Sequence, residues 1–184
     1  MSIYMKRITN TLFITWGLFI TTGCIDLGDR AITLDAGAFN QSIAPIYMMP
    51  IIDGRNYKSG KLEDNDFIFM EEITGNLLEQ HGFHPVFVYS RGTNEAISDQ
   101  NFTNMSIAEL SNLVPVESRV FLVTTINDGY HKNGNYFITC TVRIIDRERK
   151  TEIWKVAGPT VPVGAQFQLF MLQRAFAYLP KNKQ

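Results

Sequence analysis

Apolar residues recur along most of the chain at spacings that predict a sequence of strands and helices. Continuous or alternating apolar runs predict five strands, over residues 45–52, 85–89, 119–126, 136–145 and 151–157. Helical spacing of apolar residues predicts three helices, over residues 64–81, about 106–113 and about 164–179. This order predicts an α/β fold in which a mixed sheet of about five strands packs with about three helices.

Local signals place the boundaries of these elements. Pro50 cannot donate to a strand ladder, so it is expected at a strand end or an irregularity. Asp64 or Asn65 can cap the first helix, and Gly82 can end it in the left-handed conformation. Residues 127–135 contain Asn-Asp-Gly and Asn-Gly, which are two turn signals, and predict a loop before the last hairpin.

The first 23 residues have the parts of a secretory leader. Lys6 and Arg7 precede an apolar run that begins at Leu12 and ends at Ile20. The run is nearer to about 10 residues than to the roughly 20 that a membrane-spanning helix needs, which favours a cleaved leader over a permanent anchor. Translation can begin at Met1 or at Met5, because the basic pair directly follows Met5.

The residues Thr22-Gly23-Cys24 at the end of this run resemble the lipobox of bacterial lipoproteins. The resemblance implies that Cys24 becomes the lipid-bearing first residue of the mature chain, anchored in the cell envelope and, by analogy, in the outer membrane facing the periplasm. The alternative is an ordinary secreted protein whose Cys24 is discarded or left as a free thiol. Residues 24–44 are then predicted to be a lipidated tether with a reach of about 25 Å, and residues 45–184 a periplasmic α/β domain.

The charge balance argues against a nucleic-acid-binding surface, and the strand pattern predicts the environment of Cys140. Without Lys6 and Arg7, the mature chain carries 15 basic and 18 acidic residues, so no basic surface for nucleic acid is expected. Cys140 lies on the apolar face of an alternating strand, where it is expected to be a small buried hydrophobe.

Two short motifs carry a structural resemblance. The segment from Leu77 to Val86 and the pattern Ile144-Ile145-Asp146 followed by Glu152-Ile153-Trp154 resemble small bacterial lipoproteins associated with curli-type secretion pores. Residues 43–160 therefore resemble the periplasmic domain of that pore lipoprotein, the amino-terminal domain of the Tol translocation protein and the lipoprotein activators of penicillin-binding proteins. Arg149-Lys150 stand where the family has a turn glycine, and the resemblance implies no catalytic residues.

No catalytic or metal-binding pattern emerges from the sequence. His81 and His84 are three residues apart, but Gly82 and Pro85 prevent them from sharing a helix face, and capping or surface roles are favoured. Serine-nucleophile and phosphate-binding glycine motifs are missing. We therefore expect no cofactor, no metal and no enzymatic activity.

One loop is a candidate for contacts with other proteins. Tyr130, His131 and Tyr136 flank a stretch rich in Asn and Gly, and aromatic side chains beside small polar residues suit recognition. The sequence thus predicts a lipid-anchored scaffold or accessory subunit of a secretion or surface-structure assembly, with envelope-protein partners or further copies of itself. The alternatives are a regulator that activates a periplasmic cell-wall enzyme and a periplasmic hydrolase.

Overall fold

A mixed β-sheet built on one long hairpin organises the structure. The computed structural model describes residues 32–35, 43, 45–56, 62–88 and 105–182. The strands are β1 (Ile32–Leu34), β2 (Ile46–Met48), β3 (Ile52–Asp53), β4 (Pro85–Phe87), β5 (Val120–Lys132), β6 (Asn135–Asp146), β7 (Thr151–Ala157) and β8 (Val161–Pro162). The helices are α1 (Asp64–Gln80), α2 (Ile107–Leu113) and α3 (Ala165–Phe176). The predicted leader and Cys24 lie outside the described residues.

The strand order across the sheet is β1-β7-β6-β5-β2-β4. Strand β3 continues the line of β2 along β5, and β8 continues the line of β7 along β6. Strands β2, β3 and β4 run parallel to β5, whereas β6 is antiparallel to β5 and β7. The predicted mixed α/β class with three helices is confirmed for the described chain, but the sheet has eight strand segments where about five were predicted.

Alternate residues of each strand point to opposite faces of the sheet. Apolar residues lie on both faces, and helices cover each of them. On the first face, Leu122, Val142 and Trp154 are fully buried and belong to one apolar cluster with residues of α1 and α3. The rings of Trp154 and Phe176 lie 5.8 Å apart there. On the second face, α2 covers a smaller cluster that includes Phe121, Val123 and Ile145.

The predicted strand over residues 45–52 is interrupted at Pro50. The backbone N–H of Ile51 donates instead to the buried Glu71 carboxylate on α1, at 2.9 Å. Helix α1 also begins differently from the prediction, because Glu63 occupies the N-cap position and forms a capping box with Asp66. Gly82 has φ +82° just beyond α1, as its expected role in ending the helix requires.

The predicted loop over residues 127–135 is wrong for most of its length. Strand β5 continues to Lys132, and the turn consists of Asn133 and Gly134, which have φ values of 52° and 78°. Positive φ at both central residues is the requirement of the two-residue hairpin turn that matches strand twist. The earlier signal, Asp128-Gly129, lies instead at a register shift within the hairpin.

Three residues within the predicted tether form a strand. Residues Ile32–Leu34 form β1, which pairs antiparallel with β7 and places Ile32 opposite Val156. Pairing between strands more than 100 residues apart leaves no local signal in the sequence. A strand of only three residues is also too short to show a hydrophobic period. Within the described residues, no helix is long and apolar enough to cross a membrane.

Candidate functional site

The candidate site is the end of the sheet from which the β5–β6 hairpin projects. Residues 129–135, called here the hairpin tip, are exposed except for the half-buried Tyr130. The tip carries the cation Lys132 and the imidazole of His131, and it contains no carboxylate. It is therefore an exposed surface with a mildly basic character.

A group of four polar side chains fixes the base of the hairpin. This polar brace consists of Asp53, the last residue of β3, of Arg55, which follows β3, and of Asp128 and Tyr136 on the hairpin. The Arg55 guanidinium is buried and binds the Asp53 carboxylate through two contacts, Nε to Oδ1 at 2.7 Å and Nη2 to Oδ2 at 2.8 Å. Such bidentate pairs fix orientation as well as adding energy.

The two parts of the brace meet at Asp128. Its Oδ2 accepts a hydrogen bond from the backbone N–H of Asn56 at 2.7 Å, and its Oδ1 accepts one from the hydroxyl of Tyr136. The Arg55 guanidinium lies 6.0 Å from the centre of the Tyr136 ring, within the range of a cation–π contact. The segment after β3 is thereby tied to both strands of the hairpin.

The ionisation states of the brace suit a structural role. Burial, together with the hydrogen bond and negative charge of Asp128, raises the pKa of Tyr136 to about 12. The hydrogen bonds that Arg55 donates to the Asp53 carboxylate raise the pKa of Arg55. At neutral pH the tyrosine is thus neutral and the guanidinium charged, and neither group is prepared for proton transfer.

Two ring pairs stiffen the hairpin above the brace. Tyr130 stacks on Phe137 with ring centres 4.7 Å apart and an angle of 18° between the planes. His131 lies 4.8 Å from Tyr136 at a tilt of 40°. Of the three predicted contact residues, the structure therefore brings His131 and Tyr136 together, whereas Tyr130 stacks on Phe137 instead. His131 is exposed, Tyr130 is half-buried and Tyr136 is engaged in the brace.

The backbone of the hairpin base is also closely packed. A side-chain carbon added at Gly129 would lie 2.6 Å from the carbonyl oxygen of Phe137, so this position admits glycine alone without a shift. Val163, directly after β8, donates its N–H to the carbonyl of Tyr136 at 3.2 Å. The hairpin is consequently held in one direction relative to the sheet.

A second feature is a polar pocket of about 380 Å³ on the second face of the sheet, next to the start of α2. Its floor includes Thr125, Thr141, Arg143, Glu152 and Lys155, and its wall includes Ser106 and Glu109. Arg143 Nε contacts Glu152 Oε1 at 2.6 Å, and Lys155 Nζ lies 3.7 Å from Glu152 Oε2. The charges in the floor are thus paired with one another.

The Glu109 carboxyl in the pocket wall is engaged by the residue that begins its own helix. Hydrogen bonds from the Ser106 side chain and backbone lower the pKa of Glu109, so this carboxyl stays ionised at neutral pH. An ionised carboxylate that already caps its own helix is a structural element.

The remaining candidate residues have structural surroundings. Cys140 is fully buried, and burial raises the pKa of its thiol to about 12, which confirms its prediction as a core residue. Burial also lowers the pKa of His81. In the described part of the chain, no group of three or more His, Cys, Asp or Glu side chains is placed to hold a metal ion.

Sequence reasoning missed Asp53, Arg55 and Asp128 and treated their segments as loop. Asp53 and Arg55 are two residues apart beside a strand, which is a weak indication that they share one side of the backbone. Asp128 is more than 70 positions further along the chain, and its contact with this segment has no local signal.

Comparisons with known proteins indicate the fold. No protein-family model matches the sequence, and no curated protein matches it. The chain is similar in structure to the PelC dodecamer from Paraburkholderia phytofirmans, with a TM-score of 0.50, 12% identity, and coverage of 85% of this chain and 99% of that one. It is also similar to Lipoprotein GNA1162 from Neisseria meningitidis, with a TM-score of 0.45, 14% identity, and coverage of 67% and 85%. At 12% identity, the likeness to the PelC structure shows a shared general fold, and the resemblance to small bacterial lipoproteins predicted from the sequence is supported at the level of the fold alone.

Proposed function

We propose that this protein is a lipid-anchored accessory or scaffold subunit of an envelope assembly, such as a secretion or surface-structure machine. In this proposal Cys24 carries the lipid, the domain faces the periplasm, and the protein acts through contacts rather than through catalysis.

The observation that carries the proposal is the position of β1. Seven residues, 25–31, separate Cys24 from Ile32, the first residue of β1. Eight residue steps span at most about 29 Å even when fully extended. An anchor at Cys24 therefore holds the domain next to the membrane, where a membrane-embedded assembly is within reach.

The short distance weighs against a regulator of a periplasmic cell-wall enzyme. Such a protein has to extend from its own membrane to a distant partner, and the predicted tether of 24–44 already offered limited reach. Pairing of β1 with β7 removes part of that length, which favours a partner close to the anchoring membrane.

Self-assembly is part of the proposal. The PelC structure is a dodecamer, and we expect this chain to associate with further copies of itself or with other envelope proteins. The hydrolase alternative receives no support from the polar pocket, where Glu152 is paired with two cations and Glu109 caps α2.

The test is purification of the tagged full-length protein from its native membranes in mild detergent. Intact mass should show removal of residues 1–23 and addition of lipid at Cys24, and mass spectrometry of co-purified proteins should identify envelope components. Cys24→Ser should abolish both processing and membrane retention. The proposal would be overturned if the intact mass showed no lipid. It would also be overturned if the protein were recovered without a partner and without self-association, and showed hydrolytic activity.

A further inference from the structure

Strand pairing sets the direction in which the anchor segment leaves the sheet. Strand β6 runs away from the hairpin tip and β7 runs back towards it. Because β1 is antiparallel to β7, its first residue, Ile32, is the residue nearest to the tip. The start of β1, from which the anchor segment has to continue to Cys24, is therefore directed towards the end of the sheet that carries the hairpin tip.

The strand register gives the distance by which the hairpin tip extends beyond Ile32. Ile32 lies opposite Val156, and Val156 lies opposite Val142. From Val142 to Asn135, β6 rises seven residues towards the tip, which corresponds to about 23 Å at the usual strand rise. The hairpin thus projects well beyond the level at which β1 begins.

This projection is comparable to the whole length of the anchor segment. From Ile32 back to Cys24 the chain spans at most about 29 Å when fully extended, so the tip ends no more than about 6 Å short of the anchoring level. Any less extended path brings the tip to the bilayer or tilts the domain against it. Measured along β5 and β6, the tip is consequently the part of these described strands that lies nearest to the anchoring level.

The chemistry of the tip fits the headgroup region of a bilayer. Tyr130 has an apolar ring and a polar hydroxyl, the combination found at membrane–water interfaces. Lys132 supplies a positive charge on a long apolar stem, and residues 129–135 contain no acid that anionic headgroups would repel. The Asp128 carboxylate, next to the tip, is occupied by Tyr136 and by the Asn56 backbone.

We propose that the hairpin tip, residues 129–135, docks on the phospholipid headgroups of the membrane that holds Cys24 and so fixes the orientation of the domain. This inference rests on the lipid anchor of the proposed function. The polar brace holds the hairpin in the direction needed for contact. The β6–β7 turn then lies at the end of the sheet opposite the anchor and remains accessible to protein partners.

The test places a fluorescent probe at each end of the sheet in the lipidated full-length protein, reconstituted in vesicles. Asn135→Cys labels the exposed tip beside its turn, and Glu148→Cys labels the exposed turn at the opposite end, about 36 Å away by strand rise. The buried Cys140 should not react. With nitroxide-labelled headgroups in the vesicles, the probe at position 135 should lose most of its fluorescence and the probe at position 148 should retain it.

Charge reversal provides a matched pair of controls. Lys132→Glu should restore fluorescence at position 135 when the vesicles contain anionic phospholipid, whereas Lys150→Glu, the same change in the opposite turn, should leave the quenching unchanged. Equal quenching at positions 135 and 148, or no quenching at either, would overturn the proposed orientation.

Two further outcomes are distinguishable. If intact mass shows no lipid at Cys24, the proposed function fails first and the docking inference fails with it. If the lipid is present but a photo-crosslinker at position 135 in native membranes captures another polypeptide and no phospholipid, the anchor stands and the tip is a protein interface instead.

Discussion

The substitution Tyr136→Phe isolates one contact of the polar brace. It removes the hydroxyl that donates to Asp128 and keeps the ring beside Arg55 and His131. Asp128 retains its hydrogen bond from the Asn56 backbone, so the carboxylate is not left without a partner. The effect of the change should therefore come from a single hydrogen bond.

The expected loss of stability follows from the charge of the acceptor, Asp128, and from the partial exposure of the hydrogen bond to water. A hydrogen bond to a charged group contributes about 1.5–3 kcal/mol to the free energy of unfolding. Tyr136 is half-buried, and exposure to water reduces the contribution, so we expect a loss of about 1–2 kcal/mol. In a domain of this size that loss corresponds to a decrease in Tm of about 2–8 °C.

The assay is thermal unfolding of the wild-type and variant proteins in the same detergent, combined with hydrogen exchange of the hairpin amides. Tyr130→Phe is the matched control, because it removes a hydroxyl from the same hairpin while preserving the stack on Phe137. Exchange in residues 128–137 should accelerate in Tyr136→Phe and not in Tyr130→Phe. Equal changes in Tm and exchange for the two variants would refute the role assigned to the brace.

Three further predictions follow from the same structure. The pKa of Tyr136 is raised to about 12. The difference in stability between wild type and Tyr136→Phe should therefore be constant below pH 10 and shrink as pH rises from 10 to 12, because the tyrosine ionises first in the unfolded state. Thermal unfolding of both proteins as a function of pH measures this difference. Gly158→Ala would place a carbon 2.6 Å from Cys140 Sγ and should destabilise by about 1–3 kcal/mol, and adding Cys140→Ala should recover part of that loss in a double-mutant cycle. Asn182→Ala removes side-chain hydrogen bonds to Ile43 and Gly82 and should lower the free energy of unfolding by about 1–2 kcal/mol, whereas Lys181→Ala, at an exposed position, should have no measurable effect.

The sequence predicted most elements whose signal is local. Strand β7 has the predicted bounds, α2 begins one residue after its predicted start, and Gly82 ends α1 as expected. In each case an apolar period and a boundary residue within a few positions determine the structure. Cys140 also lies in the core, because its strand alternates cleanly.

The errors arose where distant segments decide the outcome. Residues 127–132 have the polar composition of a loop, but pairing with β6 and the contact between Asn56 and Asp128 extend the strand through them. Strand β1 exists because β7 offers an unpaired edge to it. Neither the extension of β5 nor the pairing of β1 can be inferred from residue spacing within a short window. The polar brace also depends on contacts between distant segments, so it was not predicted.

The relation between anchor and hairpin illustrates how strand direction adds functional information to a sequence motif. Cys24 alone suggests a location, and the aromatic residues at positions 130 and 136 alone suggest a contact surface. Antiparallel pairing of β1 with β7 and of β7 with β6 puts the exit towards Cys24 and the hairpin at one end of the sheet. If β1 ran parallel to β7, Ile32 would lie at the end of β1 furthest from the hairpin. The direction of three paired residues therefore decides whether, under the proposed lipid anchor, the tip points towards the anchoring membrane or away from it.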